Sequence, residues 1–343
     1  MTAPGKDGNQ EVGPVLTTHQ AQTLMQRVLN GELSADEVRN LLLSYNARDA
    51  TPDELAGFLA AVREAATPIQ LPVDIAGQAI DIVGTGGDKS GSVNISTMAA
   101  LVVAGVGVPV CKHGNRSASS KCGTADVLEA LGARIELSAS RVARCVATVG
   151  FGFAFAPAFH PAFRHVGPIR RELGVPTVFN LLGPLANPAA VGKMLVGVAD
   201  PRRMNTMAQA LATRTAHAWV VHGHGGLDEL SLSGPNEVIE VRAGTTTEPR
   251  SVDAASIHLA RAQVDQLRGG DPVHNAHVVR GLLNGEIRGP IRDVVVFNAA
   301  AALVVADVVH DLAAGALLAT ASIDSGTARA TLDAFIAETT LES

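Results

Sequence analysis

Hydrophobic positions change their spacing once along this chain, near residue 79. Before that point they recur at helical intervals. Thr17 and Gln20 form a capping-box pair, and Ala21, Leu24, Met25, Val28 and Leu29 follow on one face until Asn30-Gly31 stops the run. Ser34 and Glu37 repeat the device ahead of Val38, Leu41, Leu42 and Tyr45. Thr51-Pro52-Asp53-Glu54 opens a third helix with proline at its first position, carrying Leu55, Phe58, Leu59 and Val62. Three short amphipathic helices bury little surface alone. They are expected to form a small domain over residues 15–70 that packs on the rest of the chain, on a second copy, or on both.

From residue 79 short β-branched runs alternate with helical ones. Strands are predicted at 79–83, 108–111, 133–137, 153–155, 194–198 and 218–222, with helices at 95–105, 124–131, 139–149 and 203–213 between them. That rhythm belongs to a parallel sheet covered on both faces. Glu237–Val241 adds a strand at an edge, and helices are predicted over 272–284, 291–314 and 322–338. The fold class is therefore α/β: a small N-terminal helical domain plus a larger α/β domain, 75–343, with a mostly parallel mixed sheet flanked by helices. Residues 1–14 read as a flexible tail.

Composition narrows this picture only a little. Of 343 residues 47% are hydrophobic but 3% aromatic, so Ala and Val fill the core and helices can sit close on the sheet. The net charge of −6 argues against a general nucleic-acid surface. Cys111, Cys122 and Cys145 cannot all pair and lack zinc spacing, which suits a reduced, cytoplasmic protein. The polar N-terminus has no apolar signal segment, and the apolar runs near 98–111 and 299–306 are too short or interrupted to span a bilayer.

The stretch AIDIVGTGGDKSGSVNIST, 79–97, carries the first chemistry. A strand ends at Gly84, and Gly86 and Gly87 let the chain turn and present bare backbone N–H groups. Asn94-Ile95-Ser96-Thr97 then begins a helix, so donors and helix dipole point the same way and make an anion seat. It is not a Walker loop, because Asp88 precedes Lys89-Ser90, nor a dinucleotide fingerprint, because Lys89 stands at the third glycine position. A second segment, KHGNRSASSKCGT at 112–124, packs cations, hydroxyls and glycines after another strand end. Alone, either segment could be an ordinary turn or a solvated basic loop. Two of them on neighbouring strand ends suit one polyanionic ligand.

Taken together, GTGGD at 84–88, NIST at 94–97 and KHGNRSASSK at 112–121 closely resemble the anthranilate phosphoribosyltransferases of tryptophan biosynthesis. The resemblance continues through 156–188, HGHGGLDEL at 222–230 and RGGDPVHNA at 268–276. It implies transfer of phosphoribose from phosphoribosyl pyrophosphate (PRPP) to the amine of anthranilate, with release of pyrophosphate. It also implies that helices from about 160–185 join the helical domain, and that two copies pair through it. By the same likeness Gly84, Gly87, Asp88, Ser92, Asn94, Ile95, Ser96 and Thr97 would surround PRPP. Lys112, His113, Gly114, Asn115, Arg116, Ser117, Ala118, Ser119 and Ser120 would wrap its phosphates and ribose, with Thr124 a further contact. Gly84, Asn115, His160 and Arg170 match positions that hold anthranilate, and Ser96, Asp228 and Glu229 those that hold magnesium, expected as two ions. No nucleic-acid or membrane partner is implied.

The residue chemistry agrees. PRPP is heavily anionic and this chain is net negative, so charge must be neutralised locally. Mg²⁺ takes a few carboxylates plus phosphate oxygens, which suits adjacent Asp228-Glu229. His222 and His224 lack the further imidazole or thiolate that zinc would need. A guanidinium such as Arg170 can grip a carboxylate through two parallel hydrogen bonds, although Arg170-Arg171-Glu172 would also suit an exposed helix face. Asn115 could equally be a turn residue, and His113 and His160 structural histidines. Of these His160 is expected as a pocket wall, not as a proton carrier. Lys89-Ser90-Gly91-Ser92 departs from the more common Gly-x-Asn-Thr of the resembling family, Cys122 replaces a serine, and Gly225 replaces an acidic residue. The rival readings are a pyrimidine nucleoside phosphorylase of the same fold and a non-catalytic nucleic-acid-binding relative. KHGNR and GTGGD stand here in the transferase form, and the acidic pair is present.

Overall fold

Each of the three N-terminal capping boxes opens a helix: α1 (Thr18–Leu29), α2 (Ala35–Arg48) and α3 (Pro52–Glu64). In each, the N-cap hydroxyl accepts from the backbone N–H three residues on, and that residue's side chain accepts in return. The three are tied together by Glu54, which is fully buried. Its carboxylate accepts from Leu16 N at 3.0 Å, Thr51 N at 2.9 Å and the Tyr45 hydroxyl at 3.0 Å, and pairs with Arg48. The coordinates are a computed structural model that describes residues 14–117 and 120–341. Most of the expected tail, together with Ala118 and Ser119, lies outside the described residues.

A short helix, α4 (Val73–Ala76), leads into the α/β domain. There follow β1 (Ile80–Gly84), α5 (Ile95–Gly105), β2 (Val110–Gly114), α6 (Thr124–Ala130), α7 (Ala139–Val149) and β3 (Phe151–Phe155). The chain then folds as α8 (Ala156–Phe159), α9 (Gly167–Leu173) and α10 (Phe179–Leu185) before returning to β4 (Lys193–Gly197), α11 (Met204–Ala212) and β5 (His217–His222). Strands β6 (Asn236–Arg242), β7 (Thr245–Thr246) and β8 (Arg250–Val252) turn back antiparallel. Four helices complete the chain: α12 (Pro272–Leu283), α13 (Pro290–Val305), α14 (Leu312–Asp324) and α15 (Thr327–Thr340).

The sheet runs in the order β3-β2-β1-β4-β5-β6-β7, with β8 beside β6. β1 to β5 are parallel, so the sheet is mixed but mostly parallel, as the alternation implied. Chain direction across the sheet reverses between β1 and β4, which makes the space above their carboxyl ends the expected ligand crevice. The almost wholly buried α5 and α13 pack on each other beneath this rim.

Three predicted elements are corrected. Residues 133–137 form no strand. Ala133, Ile135 and Leu137 are buried and Arg134 and Glu136 exposed, the alternation of a strand, but the backbone N–H of Arg134 bonds the Thr339 hydroxyl at 3.1 Å instead of a neighbouring strand. The single helix expected over 291–314 is two. α13 ends at Val305, Asp307 takes a left-handed φ of 59°, and Asp311 caps α14 by accepting from Ala314 N at 2.8 Å. The next expected helix, 322–338, is consequently divided at Gly326, with φ 80°.

The helical domain packs on the 160–185 segment and on α11. Arg39 of α2 pairs with Glu172 of α9 at 2.9 Å, α3 lies against α10 and α11, and Asp49 pairs with Arg203 at 2.9 Å. Among the described residues no helix is long and apolar enough to cross a membrane.

Candidate active site

β1 and β4 both end in glycine, and the two glycines are partners in the ladder, Gly84 beside Gly197. Neither could carry a side chain. A Cβ on Gly197 would overlap the backbone of Asp228, and one on Gly84 would overlap its carboxylate. The missing side chains form a notch in the rim, and the loop after β5 drops Asp228 into it. There the Asp228 carboxylate accepts from the N–H of Gly86 at 2.6 Å.

That placement gathers three carboxylates. Oxygens of Asp88, Asp228 and Glu229 lie within 4.8 Å of one another. Burial and mutual repulsion push Asp228 up to about 6 and hold Glu229 well above the usual carboxylate range. Lys112 and the backbone N–H of Ser96 work against this at Glu229. Yet the buried Lys112 ammonium donates to Ile82 O and to Ser96 Oγ, the latter at 3.2 Å. Glu229 Oε2 is buried with no hydrogen-bond partner among the described residues. A trio of oxygen-only ligands, Asp228 buried and Asp88 and Glu229 half-buried, with an unused acceptor fits a hard divalent cation such as magnesium. Asp228 and Glu229 are the two of the trio that the sequence points to as metal ligands. For Asp88 the sequence points to PRPP instead, because the motif shows a loop aspartate but not the carboxylates it will meet.

The glycine loop shows why its departures are tolerated. Gly86 and Gly87 have φ of 66° and 81°, and the turn stays left-handed at Lys89, 59°, and Gly91, 63°. These two hold the Gly and Asn positions of the commoner pattern, and Asn is among the residues that enter this region readily. This chain therefore carries a lysine where the backbone favours glycine. Asp88 accepts from Ser90 N at 3.1 Å, and Ser92 bridges to Arg268. Asn94 at the mouth of α5 accepts from Asn275 at 2.9 Å and donates to Cys122 O at 3.3 Å, joining the two anion loops. Thr97 Oγ1 meets Thr124 Oγ1 at 3.4 Å. Ile95 is wholly buried, a core residue whose contribution to a ligand is its backbone.

The second loop leaves β2 at Gly114. Asn115 is exposed and its side-chain oxygen accepts from Arg116 N at 2.7 Å. Arg116 is engaged by Asp126 at 3.1 Å and by Glu129, both on α6. A phosphate would have to compete for it. Ser117 and Ser120 hydroxyls lie 2.6 Å apart. The expected contacts Ala118 and Ser119 lie outside the described residues.

Beyond this loop sits an aromatic shelf. His160 stacks on Phe163 with centroids 5.0 Å apart and meets the His113 ring edge-on at 5.2 Å. Burial pushes His113 down to about 3 and His160 down to about 4, so both are neutral imidazoles at pH 7. Neither nitrogen of His160 has a hydrogen-bond partner among the described residues. Phe163 packs edge-on against Phe179, and Arg170 lies over Phe179 at 5.3 Å while reaching Asn180 at 3.4 Å. Half-buried Arg170 has no carboxylate within ion-pair distance among the described residues. Flat apolar walls beside an unpaired guanidinium suit an aromatic carboxylate.

Sequence reasoning missed Asp81 and Asn187, both fully buried below the rim. Asp81 lies inside a strand run and Asn187 in a Pro-flanked turn, and only the fold brings them together.

Comparison with known proteins agrees with this geometry. Residues 76–329 match the "Glycosyl transferase family, a/b domain" and residues 12–66 the "Glycosyl transferase family, helical bundle domain". The chain is 50% identical over 323 residues to the anthranilate phosphoribosyltransferase of Chloroflexus aggregans, covering 94% of each. It superposes on the crystal structure of anthranilate phosphoribosyltransferase from Thermus thermophilus with a TM-score of 0.91 at 43% identity, covering 97% of this chain and 98% of that one. The Saccharomyces cerevisiae enzyme, solved in complex with PRPP and Mg, gives a TM-score of 0.86 at 28% identity over 94% and 93% of the chains. Its complex with 4-fluoroanthranilate gives a TM-score of 0.85 at 27% identity over the same shares. On fold, site and likeness together, this chain belongs to the glycosyl transferase family built from a helical bundle and an a/b domain, among the anthranilate phosphoribosyltransferases.

Proposed function

We propose that this protein transfers the phosphoribosyl group of PRPP to the amine of anthranilate, giving N-(5'-phosphoribosyl)anthranilate and pyrophosphate, in tryptophan biosynthesis. The observation that carries the reading is the meeting, above β1 and β2, of an anion-binding loop pair, a carboxylate trio and an aromatic shelf with an unpaired arginine.

Displacement at the ribose C1 leaves positive charge on the sugar and negative charge on the departing pyrophosphate. Anthranilate's aromatic amine is neutral at pH 7 and attacks without prior deprotonation. A general base is therefore unnecessary, and the buried neutral imidazoles of His113 and His160 are too weakly basic to act as one. What this chain supplies is alignment and electrostatics. The N-terminal N–H groups of α5 and the glycine turn donate to the diphosphate, and Lys112 lies beneath them. Asp88, Asp228 and Glu229 would hold magnesium, as two ions with Ser96 adjoining. When bound, the metal supplies positive charge against the diphosphate, which the acidic trio alone would repel. Arg170 fixes the acceptor's carboxylate, with His160 and Asn115 beside the ring. Holding both substrates in line is worth roughly 7–11 kcal/mol in favourable cases.

The test is direct: purified protein mixed with PRPP, Mg²⁺ and anthranilate, followed by loss of anthranilate fluorescence. Loss that needs all three components is expected. No loss with anthranilate, together with phosphorolysis of thymidine or uridine, would overturn the reading. A homodimer through the helical domain and a cytoplasmic location belong to the same proposal. Light scattering giving twice the 35.3 kDa chain mass supports the first, and a monomer contradicts it.

A further inference from the structure

β1 and β2 are adjacent and parallel, yet their ladder ends after one registered pair, Ile80 with Val110. β1 with β4 and β2 with β3 each keep five. At the bottom of the β1–β2 pair Ile80 N donates to Pro109 O at 3.0 Å. In a parallel ladder the next rung would join Ile82 N–H to Cys111 O and His113 N–H to Ile82 O. Three of those four groups are instead satisfied by side chains. Asn187 Nδ2 donates to Cys111 O at 2.8 Å, Asp81 Oδ1 accepts from His113 N at 3.1 Å, and the Lys112 ammonium donates to Ile82 O. Asn187 Nδ2 also donates to Asp81 Oδ2 at 2.9 Å, while its own oxygen accepts from Ala189 N at 2.9 Å. Asp81 and Asn187 are both wholly buried.

The geometry points to a wedge: Asp81 and Asn187 hold the carboxyl ends of β1 and β2 apart and lock β2's end to the turn after α10, thereby positioning the two anion loops and the acceptor shelf relative to one another. The polar cost of splitting a sheet is offset because Cys111 O, His113 N and Ile82 O each have a new partner. The split lies directly below Gly84 and Gly114, where the two loops leave. Its width therefore sets their separation, and Asn187 fixes Lys112 and His113 against the segment that carries Arg170 and Phe179. Asp81 and Asn187 touch neither loop's ligand-facing atoms, so they are positioning residues. The inference rests on the proposed transfer reaction for its kinetic consequence but not for its structural one.

The variant Asp81→Asn tests it. Asparagine is nearly isosteric and can still accept from His113 N, but its amide sets a donor against the Asn187 donor. Two readouts are taken. In hydrogen–deuterium exchange, the peptide spanning 110–117 is expected to exchange at least about tenfold faster than in the parent, with peptides of β3 and β4 unchanged. In steady-state kinetics kcat is expected to fall about 10- to 100-fold, with the PRPP KM within about threefold, because misalignment costs the transition state more than ground-state binding. Asn187→Ser, which shortens the same contact, is expected to behave alike and serves if Asp81→Asn does not fold. Unchanged exchange over 110–117, or a kcat within about threefold of the parent, overturns the wedge. An inactive parent would sink the transfer reading instead, and the exchange readout would still decide the wedge.

Discussion

The carboxylate of Asp228, on the loop after β5, accepts the backbone N–H of Gly86, on the loop after β1, at 2.6 Å. One hydrogen bond thus ties the acidic loop to the glycine turn across the point where the strand order reverses. It exists because Gly84 and Gly197, neighbours in the ladder, leave room for Asp228.

Gly84→Ala should therefore damage the cation site without unfolding the sheet. The new Cβ would displace the Asp228 carboxylate from the notch. Turnover is expected to fall about 100-fold, the order of loss that a misplacement near 1 Å produces. Circular dichroism should stay parental while stabilisation by Mg²⁺ disappears. Parental Mg²⁺ stabilisation would show that the notch does not set this carboxylate.

The acidic trio gives a pH signature. Asp228 and Glu229 have folded pKa values above those of unfolded carboxyls, so the folded state binds more protons. Their contribution to stability is therefore highest at low pH and declines as pH rises, for Asp228 through the window from about 4 to about 6, with Glu229 shifted in the same direction. Protons and metal compete for the same oxygens. The rise in Tm on adding Mg²⁺ should be larger near pH 7.5 than near pH 5.5. Comparing the two at each pH cancels the opposite effect of His113 and His160, whose lowered values weaken the fold as pH falls. Equal increments at both pH values would contradict the assignment.

Arg170→Ala should raise the anthranilate KM about tenfold or more, the worth of a lost charge-assisted hydrogen-bond pair, and leave the PRPP KM within about threefold. Equal changes in both constants would remove Arg170 from the acceptor side.

Glu54 is a stability residue remote from the chemistry. Its burial with Arg48 and three further donors means that Glu54→Gln should cost about 3–5 kcal/mol, the usual result of breaking a buried ion pair. Those partners hold its folded pKa down to about 2, although burial opposes them. Its stabilising effect is thus present above the ordinary carboxylate range and lost as pH falls toward about 2. Urea titration reads the first effect. A kcat changed more than about threefold at 25 °C, where the variant is still folded, would tie Glu54 to catalysis.

Much of this molecule is legible in the sequence because the informative signals are local. A capping box states its helix start within four residues, and Gly86-Gly87 states a left-handed turn by composition. The failures are relational. Residues 133–137 show the alternation that decides which side chains are buried, but alternation says nothing about whether a neighbouring strand exists to pair with. The run 291–314 looks continuous because Val308 and Val309 are apolar, while the break depends on Asp307 and Asp311 adopting cap geometry. Asp88 is visible as part of a motif, but its meeting with Asp228 and Glu229 requires the strand order. Asp81 and Asn187, 106 positions apart, become a pair only once β1 and β2 are seen to separate.

The central claim is that both loops hold one donor molecule against the carboxylate trio. A crystal structure of this protein with PRPP and Mg²⁺ tests it most directly. The expected map shows the diphosphate between residues 84–97 and 112–120, with a cation touching Asp228 and Glu229. PRPP bound elsewhere, or absent at saturating concentration, would contradict the account.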